Sequence, residues 1–213
     1  MGERRELSFA ASSTARDENV RRAQGVVGVV LARVRYFEID SIGESFGIPR
    51  WPGPAHRPIE DPREWEQAIW RHPTCDSLDW GLELESTTGR VFSMTWDRPR
   101  GGSIGIEEQP LGRDALGAVW DVTDRSRWQK YVGRAVTGIT MHYVRGDPFD
   151  VVGSGQDDWS CWRITITFGR PSVDIVLGEA RNDHVLFPNY DNVAVLFDQR
   201  RLLRVWSRER FSR

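Results

Sequence analysis

The strongest constraint on the fold is an alternation of apolar and polar residues in two stretches of the chain. In residues 80–96, large apolar side chains occupy alternate positions on both sides of a turn that ends at Gly89. Residues 162–177 show the same pattern around Gly169. A period of two with one apolar side is typical of antiparallel strands that place one face on a core. We therefore expect two β-hairpins, with glycine at the turns because it tolerates positive φ.

Shorter apolar stretches predict further strands. They cover residues 26–37, 103–106, 135–144 and 193–197. The order strand, hairpin, strand then occurs twice, in residues 26–108 and 133–206, and both hairpins turn at a Gly-Arg pair. The sequence predicts a mainly β (α+β) fold, arranged as an antiparallel sandwich or barrel. Two repeated β-units are one interpretation, and the general likeness of all alternating hairpins is the other.

A short helix is predicted after residue 61. Asp61 is a good N-cap, and Pro62 suits the first helical position. Trp65 and Ile69 would then lie one turn apart on the same helix face, and Pro73 would end the helix.

Two later segments carry weaker helix signals. Thr123 as N-cap and Gly133 as a stop predict a second short helix between them. Residues 202–206 could pair with residues 193–197 as a final hairpin, but a helix over residues 199–207 is also consistent with the Arg and Leu content.

The predicted domain organisation is simple. Residues 1–24 lack apolar periodicity and are expected to form a mobile tail, without the apolar core of a signal peptide. Residues 25–213 are expected to form a single β-rich domain. No stretch approaches the apolar length of a membrane span, so the sequence favours a cytoplasmic location.

Composition excludes several classes of partner and site. The chain has 29 basic and 31 acidic residues, a net charge of −2, which argues against nucleic acid as the main partner. Lys130 is the sole lysine, a bias towards Arg that is typical of a GC-rich bacterial genome. Cys75 and Cys161 are too few and too far apart for a disulfide framework or a zinc site. No cofactor is expected.

No catalytic or metal-binding residue is predicted, because the usual motifs are missing. The histidines are His56, His72, His142 and His184. None has the spacing of a metal site, and nucleophile and phosphate-binding motifs are absent. Asp174, Glu179 and Arg181 loosely follow an Asp…Glu-x-Lys nuclease pattern, but arginine cannot serve as the base. The sequence therefore favours a protein that is not an enzyme.

Tryptophan is unusually abundant, with ten residues. Most of them fall on predicted core faces, but Trp51, next to Arg50, lies in a Pro-rich connection. A large aromatic side chain on a stiff loop can anchor a partner, and it can equally pin the loop to the core. Trp159, beside Asp157 and Asp158, is the second candidate contact.

Two functional hypotheses follow. The first is a non-enzymatic bacterial scaffold that binds another protein, as an immunity or accessory subunit of a toxin or phage-defence system. It is motivated by long connections that carry Trp and Arg, which protein interfaces favour. The second is a small-molecule-binding β-barrel lined by tryptophan, or an enzyme on such a scaffold. An enclosed pocket would favour the second hypothesis, and a filled core with an exposed Trp/Arg patch would favour the first.

Overall fold

The computed structural model describes residues 12–38, 56–96, 103–111, 117–125, 127–145, 159–181, 185–187 and 192–198. In chain order, the α-helices and strands of this part are α1 (Ser13–Gln24), β1 (Leu31–Glu38), β2 (His56–Pro58), α2 (Pro62–Glu66), β3 (Cys75–Leu78), β4 (Gly81–Ser86), β5 (Val91–Trp96), β6 (Ile104–Glu107), β7 (Gly117–Asp121), β8 (Gly138–Arg145), β9 (Trp159–Thr167), β10 (Ser172–Leu177), β11 (Glu179–Arg181), β12 (Val185–Phe187) and β13 (Val193–Leu196).

The first sheet contains the first predicted hairpin. Its strand order is β2-β7-β1-β4-β5-β6, and only the β2–β7 pair is parallel. In the β4–β5 hairpin Leu82 lies opposite Met94, and Leu84 lies opposite Phe92. All four side chains are buried, and Gly89 in the turn has a φ of 81°. The alternation therefore marked the core face of the hairpin correctly.

The second sheet contains the second predicted hairpin. Its strand order is β3-β13-β10-β9-β8, and all its pairs are antiparallel. The path β8-β9-β10-β13 follows the same meander as β1-β4-β5-β6 in the first sheet. Both predicted β-units are thus four-stranded antiparallel meanders, although a common topology does not by itself establish a duplication.

The two sheets form an open, sandwich-like α+β fold, and the predicted alternative of a barrel is wrong. In the described part of the chain, β2 and β6 are the edges of one sheet, and β3 and β8 are the edges of the other. The main core contains apolar residues of both sheets, and its largest fully buried side chains are Trp120, Trp128, Tyr36, Tyr131 and Phe92.

Residues 13–24, which the sequence analysis assigned to a mobile tail, form helix α1. Its N-cap Ser12 accepts a hydrogen bond from the Ala15 amide. Ala23 is fully buried in the main core, and Asn19 is also buried. The helix packs against β6 and β8, where the two sheets come close to each other. The apolar residues of α1 are too few to show a helical period, which is why the pattern was missed.

The predicted helices are shorter than expected. Asp61 caps α2 as predicted, but the helix ends at Glu66, and the Ile69 side chain is 59% exposed. The predicted helix between Thr123 and Gly133 reduces to a 3₁₀ helix over Arg127–Lys130. The predicted partner strand 202–206 lies outside the described residues. In the described part of the chain, no helix has the length and apolarity to cross a membrane.

The position of α1 leads to a test. A chain that begins at Gly25 should be less stable than one that begins at Ser12, by about 2 kcal/mol, because it loses the buried Ala23 and uncovers the ends of both sheets. For a chain of this size, the thermal midpoint should fall by roughly 4–8 °C. The Ser12 chain is the matched control, since it lacks only residues 1–11. Equal midpoints for the two chains would contradict the packing role of α1.

Candidate functional site

A buried carboxylate on β3 joins the two sheets. The Tyr36 hydroxyl on β1 donates a 2.8 Å hydrogen bond to Oδ2 of Asp76, and the Trp128 indole N–H donates a 2.6 Å bond to the Tyr36 oxygen. Asp76 is 2% exposed, and Tyr36 and Trp128 are fully buried. The chain of hydrogen bonds therefore ties one strand from each sheet to the 3₁₀ helix.

Arg127 connects this network to the surface. Its Nη1 donates to Oδ1 of Asp76 at 2.9 Å, and its Nη2 donates to the His72 carbonyl at 2.6 Å. The Arg127 side chain remains 31% exposed. Two hydrogen bonds therefore hold the guanidinium in one orientation, while part of the side chain faces solvent.

Burial has the largest effect on the pKa values of Asp76 and Tyr36. It raises the pKa of Asp76 to about 6, although the Tyr36 hydroxyl and the Arg127 guanidinium both favour the ionised form. Burial, and next the charge of Asp76, raises the pKa of Tyr36 well above its ordinary value. Tyr36 is therefore a neutral hydrogen-bond donor throughout the physiological range, whereas Asp76 titrates close to neutrality.

Three indole rings lie beside the network and support the neighbouring surface. The ring centroids of Trp65 and Trp120 are 5.1 Å apart, and those of Trp70 and Trp120 are 5.7 Å apart, all in edge-to-face contacts. The Arg125 guanidinium lies 4.9 Å from the centroid of the half-buried Trp65 ring. Edge-to-face packing of this kind fixes the ring positions.

Five residues around these supports define what we call the interaction surface. They are Ile69, Arg71, Arg125, Arg127 and Lys130. Ile69 precedes the buried Trp70, Arg71 forms a β-bridge with Asp76, and Lys130 lies over the same Phe197 ring as Arg127. Four members of the surface are cationic, in a chain of net charge −2.

The side chain of Ile69 is more exposed to solvent than those of the other large apolar residues in the described part of the chain. Among the described residues, Ile69 and Val27 are the large apolar side chains that are clearly exposed, at 59% and 41%. Glu66 and Asp124 are exposed carboxylates close to Ile69 and Arg125 in the chain.

Of the residues that the sequence proposed as partner contacts, Trp159 lies in the described part of the chain. Trp159 begins β9 and is half-buried, and the guanidinium of Arg16 on α1 lies 4.5 Å from its ring centroid. Trp159 thus helps to fix α1 against the second sheet. Trp51, Arg50, Asp157 and Asp158 lie outside the described residues.

A second polar cluster lies on the second sheet. Oδ1 of the fully buried Asp174 accepts hydrogen bonds from the Thr165 hydroxyl at 2.5 Å, and Arg163 Nε lies 3.1 Å from the same oxygen. Thr165 also contacts Nε2 of His142 at 2.9 Å. Asp174 thus joins the neighbouring strands β9 and β10. No group of three or more His, Cys, Asp or Glu residues in the described ranges could hold a metal ion.

Sequence reasoning missed the interaction surface because it assigned Ile69 and Trp65 to one buried helix face. The available signal was the cluster of cationic residues in 125–134, which includes the single lysine. The sequence alone did not connect this cluster with residues 69–71, because only the fold brings the two segments close together.

Comparison with known proteins gives no family for the chain: no family model, no curated protein and no solved structure matches it.

The raised pKa of Asp76 predicts a specific dependence of stability on pH. A carboxyl whose pKa rises on folding, here from 3.8 to about 6, stabilises the folded state below pH 3.8, and this contribution is lost as the pH rises through about 6. The unfolding free energy of the wild type, minus that of Asp76→Asn, should therefore fall by up to about 3 kcal/mol between about pH 4 and pH 7. Urea unfolding of both proteins measures this difference, and a difference that rises with pH would contradict the assignment.

Proposed function

We propose that the protein is a non-enzymatic scaffold that binds another protein, and that it does so through the interaction surface. The observations that carry the proposal are the exposed apolar side chain of Ile69 and an arginine, Arg127, that the fold holds in place through Asp76 and the His72 carbonyl. The bacterial, cytoplasmic setting and the role of immunity or accessory subunit in a toxin or phage-defence system belong to the same proposal and rest on the sequence.

The fixed position of Arg127 favours binding. A free arginine side chain loses rotamer freedom when a partner orders it, and this loss weakens association. Two hydrogen bonds already restrict the Arg127 guanidinium in the unbound protein. Arginine and tryptophan are also the residue types most common at interface hot spots. The pair of Arg125 and Trp65 supplies both types, and Trp65 packs against Trp70, which follows Ile69 in the chain.

The chemistry of the surface suggests the chemistry of the partner. An exposed apolar side chain together with four cationic residues is complementary to a small apolar pocket with an acidic rim. We therefore propose an acidic protein surface as the partner. The alternative of a small-molecule-binding barrel requires a closed sheet, whereas the two sheets are open.

The connection that contains Trp51 and Arg50 remains a second predicted contact. It can be tested beside the interaction surface with Trp51→Ala, which should weaken partner binding by roughly 2 kcal/mol if the residue is an anchor. A large fall in the urea midpoint at constant slope would show instead that Trp51 is part of the core.

The main test is quantitative capture from the native host with variants of the full chain. Ile69→Asp and Arg125→Glu should each weaken retention of the same partner by roughly 2 kcal/mol, about a 30-fold loss of affinity. Val27→Asp is the matched control, because it changes the other exposed apolar residue, which lies before β1 and does not belong to the interaction surface.

The pattern across the variants decides the outcome. A protein that is retained by the wild type and by Val27→Asp, but lost with both surface variants, supports the proposal. A partner that all four proteins retain equally would overturn it. Far-ultraviolet circular dichroism and thermal midpoints confirm that the variants are folded, which is expected because the changed side chains are exposed.

A further inference from the structure

We propose that protonation of Asp76 releases Arg127 from its fixed position and so converts the interaction surface from an ordered to a loosened form. The effect on partner affinity rests on the proposed function. The release itself is a property of this chain alone and can be observed without a partner.

The directions of the hydrogen bonds determine where the proton must go. An indole N–H can only donate, so the Tyr36 oxygen accepts from Trp128. The hydroxyl hydrogen of Tyr36 is then directed to Oδ2 of Asp76. A proton on Oδ2 would meet this hydroxyl hydrogen directly. The carboxyl therefore takes its proton on Oδ1.

Oδ1 is the oxygen that faces Nη1 of Arg127, at 2.9 Å. A protonated Oδ1 places an O–H donor against an N–H donor and also removes the negative charge that attracts the guanidinium. Protonation therefore breaks the Asp76–Arg127 contact and leaves the Tyr36–Asp76 contact in place. Arg127 then retains its hydrogen bond to the His72 carbonyl but loses its contact with the buried carboxyl group of Asp76.

The charged and titratable groups around Asp76 come from each element packed against it. Tyr36 faces it from β1, Arg127 from the 3₁₀ helix, and Arg71 and His72 from the segment between α2 and β3. On β13 the residue opposite Asp76 is the apolar Val195. The cationic neighbours favour the ionised carboxylate, but burial opposes it more strongly, and the resulting pKa of about 6 places the change within reach of cellular pH.

The consequence for binding follows from the order of Arg127. Above the pH midpoint of the Asp76 titration, the guanidinium is held in its surface position. Below that pH, a partner must restrict the side chain again when it binds. Affinity for the partner should then be higher near neutral pH than near pH 5. This direction applies to a partner that contacts Arg127 itself.

The test is a nuclear magnetic resonance titration of the full chain between about pH 4.5 and 7.5. The carboxyl carbon of Asp76 reports its own protonation, and the Nε–Hε and Nη signals of Arg127 report the freedom of the guanidinium. We expect both to change with one midpoint near 6, with restricted rotation of the Nη1 group at the upper end of the pH range and faster rotation at the lower end, while Nη2 keeps its bond to the His72 carbonyl. Arg127 signals that stay constant while Asp76 titrates would overturn the proposal.

Two variants assign the cause. Asp76→Asn should remove the transition of Arg127, whereas His72→Gln should retain it, because the His72 backbone carbonyl is unchanged. Loss of the transition in His72→Gln, with Asp76 still titrating, would show that histidine controls Arg127 and would also overturn the proposal. If Asp76→Asn does not fold, the carboxyl titration of the wild type and the His72→Gln result still decide it.

The titration also separates this inference from the proposed function. Coupled midpoints for Asp76 and Arg127 support the release even if capture with the surface variants fails. Independent midpoints overturn the release and leave partner binding to its own test.

Discussion

The hydrogen bond between the Tyr36 hydroxyl and the Asp76 carboxylate is the contact on which the arrangement of the two sheets and the surface depends. It joins β1 of one sheet to β3 of the other inside the core, where an unpaired carboxylate would be costly. Trp128 then fixes the Tyr36 oxygen, and Arg127 occupies the other carboxylate oxygen. A change at Asp76 therefore affects the core and the surface together.

The apolar core surrounds this polar contact, and the contact makes the packing of the two sheets specific. Tyr36, Trp70, Trp120 and Trp128 are at most 2% exposed, and their rings pack edge-to-face. Hydrophobic burial supplies most of the stability but has little directional preference. The buried hydrogen bonds and ring contacts require particular atoms to meet, so they select one relative position of the strands.

Several features of the fold could be predicted because they depend on local order in the chain. The β4–β5 and β9–β10 hairpins follow from the alternation of apolar residues, and Asp61 as the cap of α2 follows from its position before Pro62. Strand β7 was missed, although Ala118, Trp120 and Val122 alternate, because the stretch is short. Helix α1 was missed because its stability comes from packing at the sheet edges and not from an apolar stripe.

The interaction surface was not predicted from the sequence. Of the residues proposed from the sequence, only Trp159 is in the described structure, and it packs against Arg16. The members of the interaction surface lie in two segments more than 50 residues apart, and neither segment has a motif. Nothing in residues 69–71 indicates that Arg125 and Arg127 will be their neighbours.

The sequence by itself determined the class of the protein: a mainly β chain with two alternating hairpins, whose turns at Gly89 and Gly169 require positive φ. These properties are local, because side-chain direction in a strand alternates with each residue. Only the tertiary structure decided that the sheets stay open, that Asp76 is buried against Tyr36, and that Asp76 holds Arg127 at the surface. Each of these depends on which distant segments pack together, and that choice is made by the burial of the whole core.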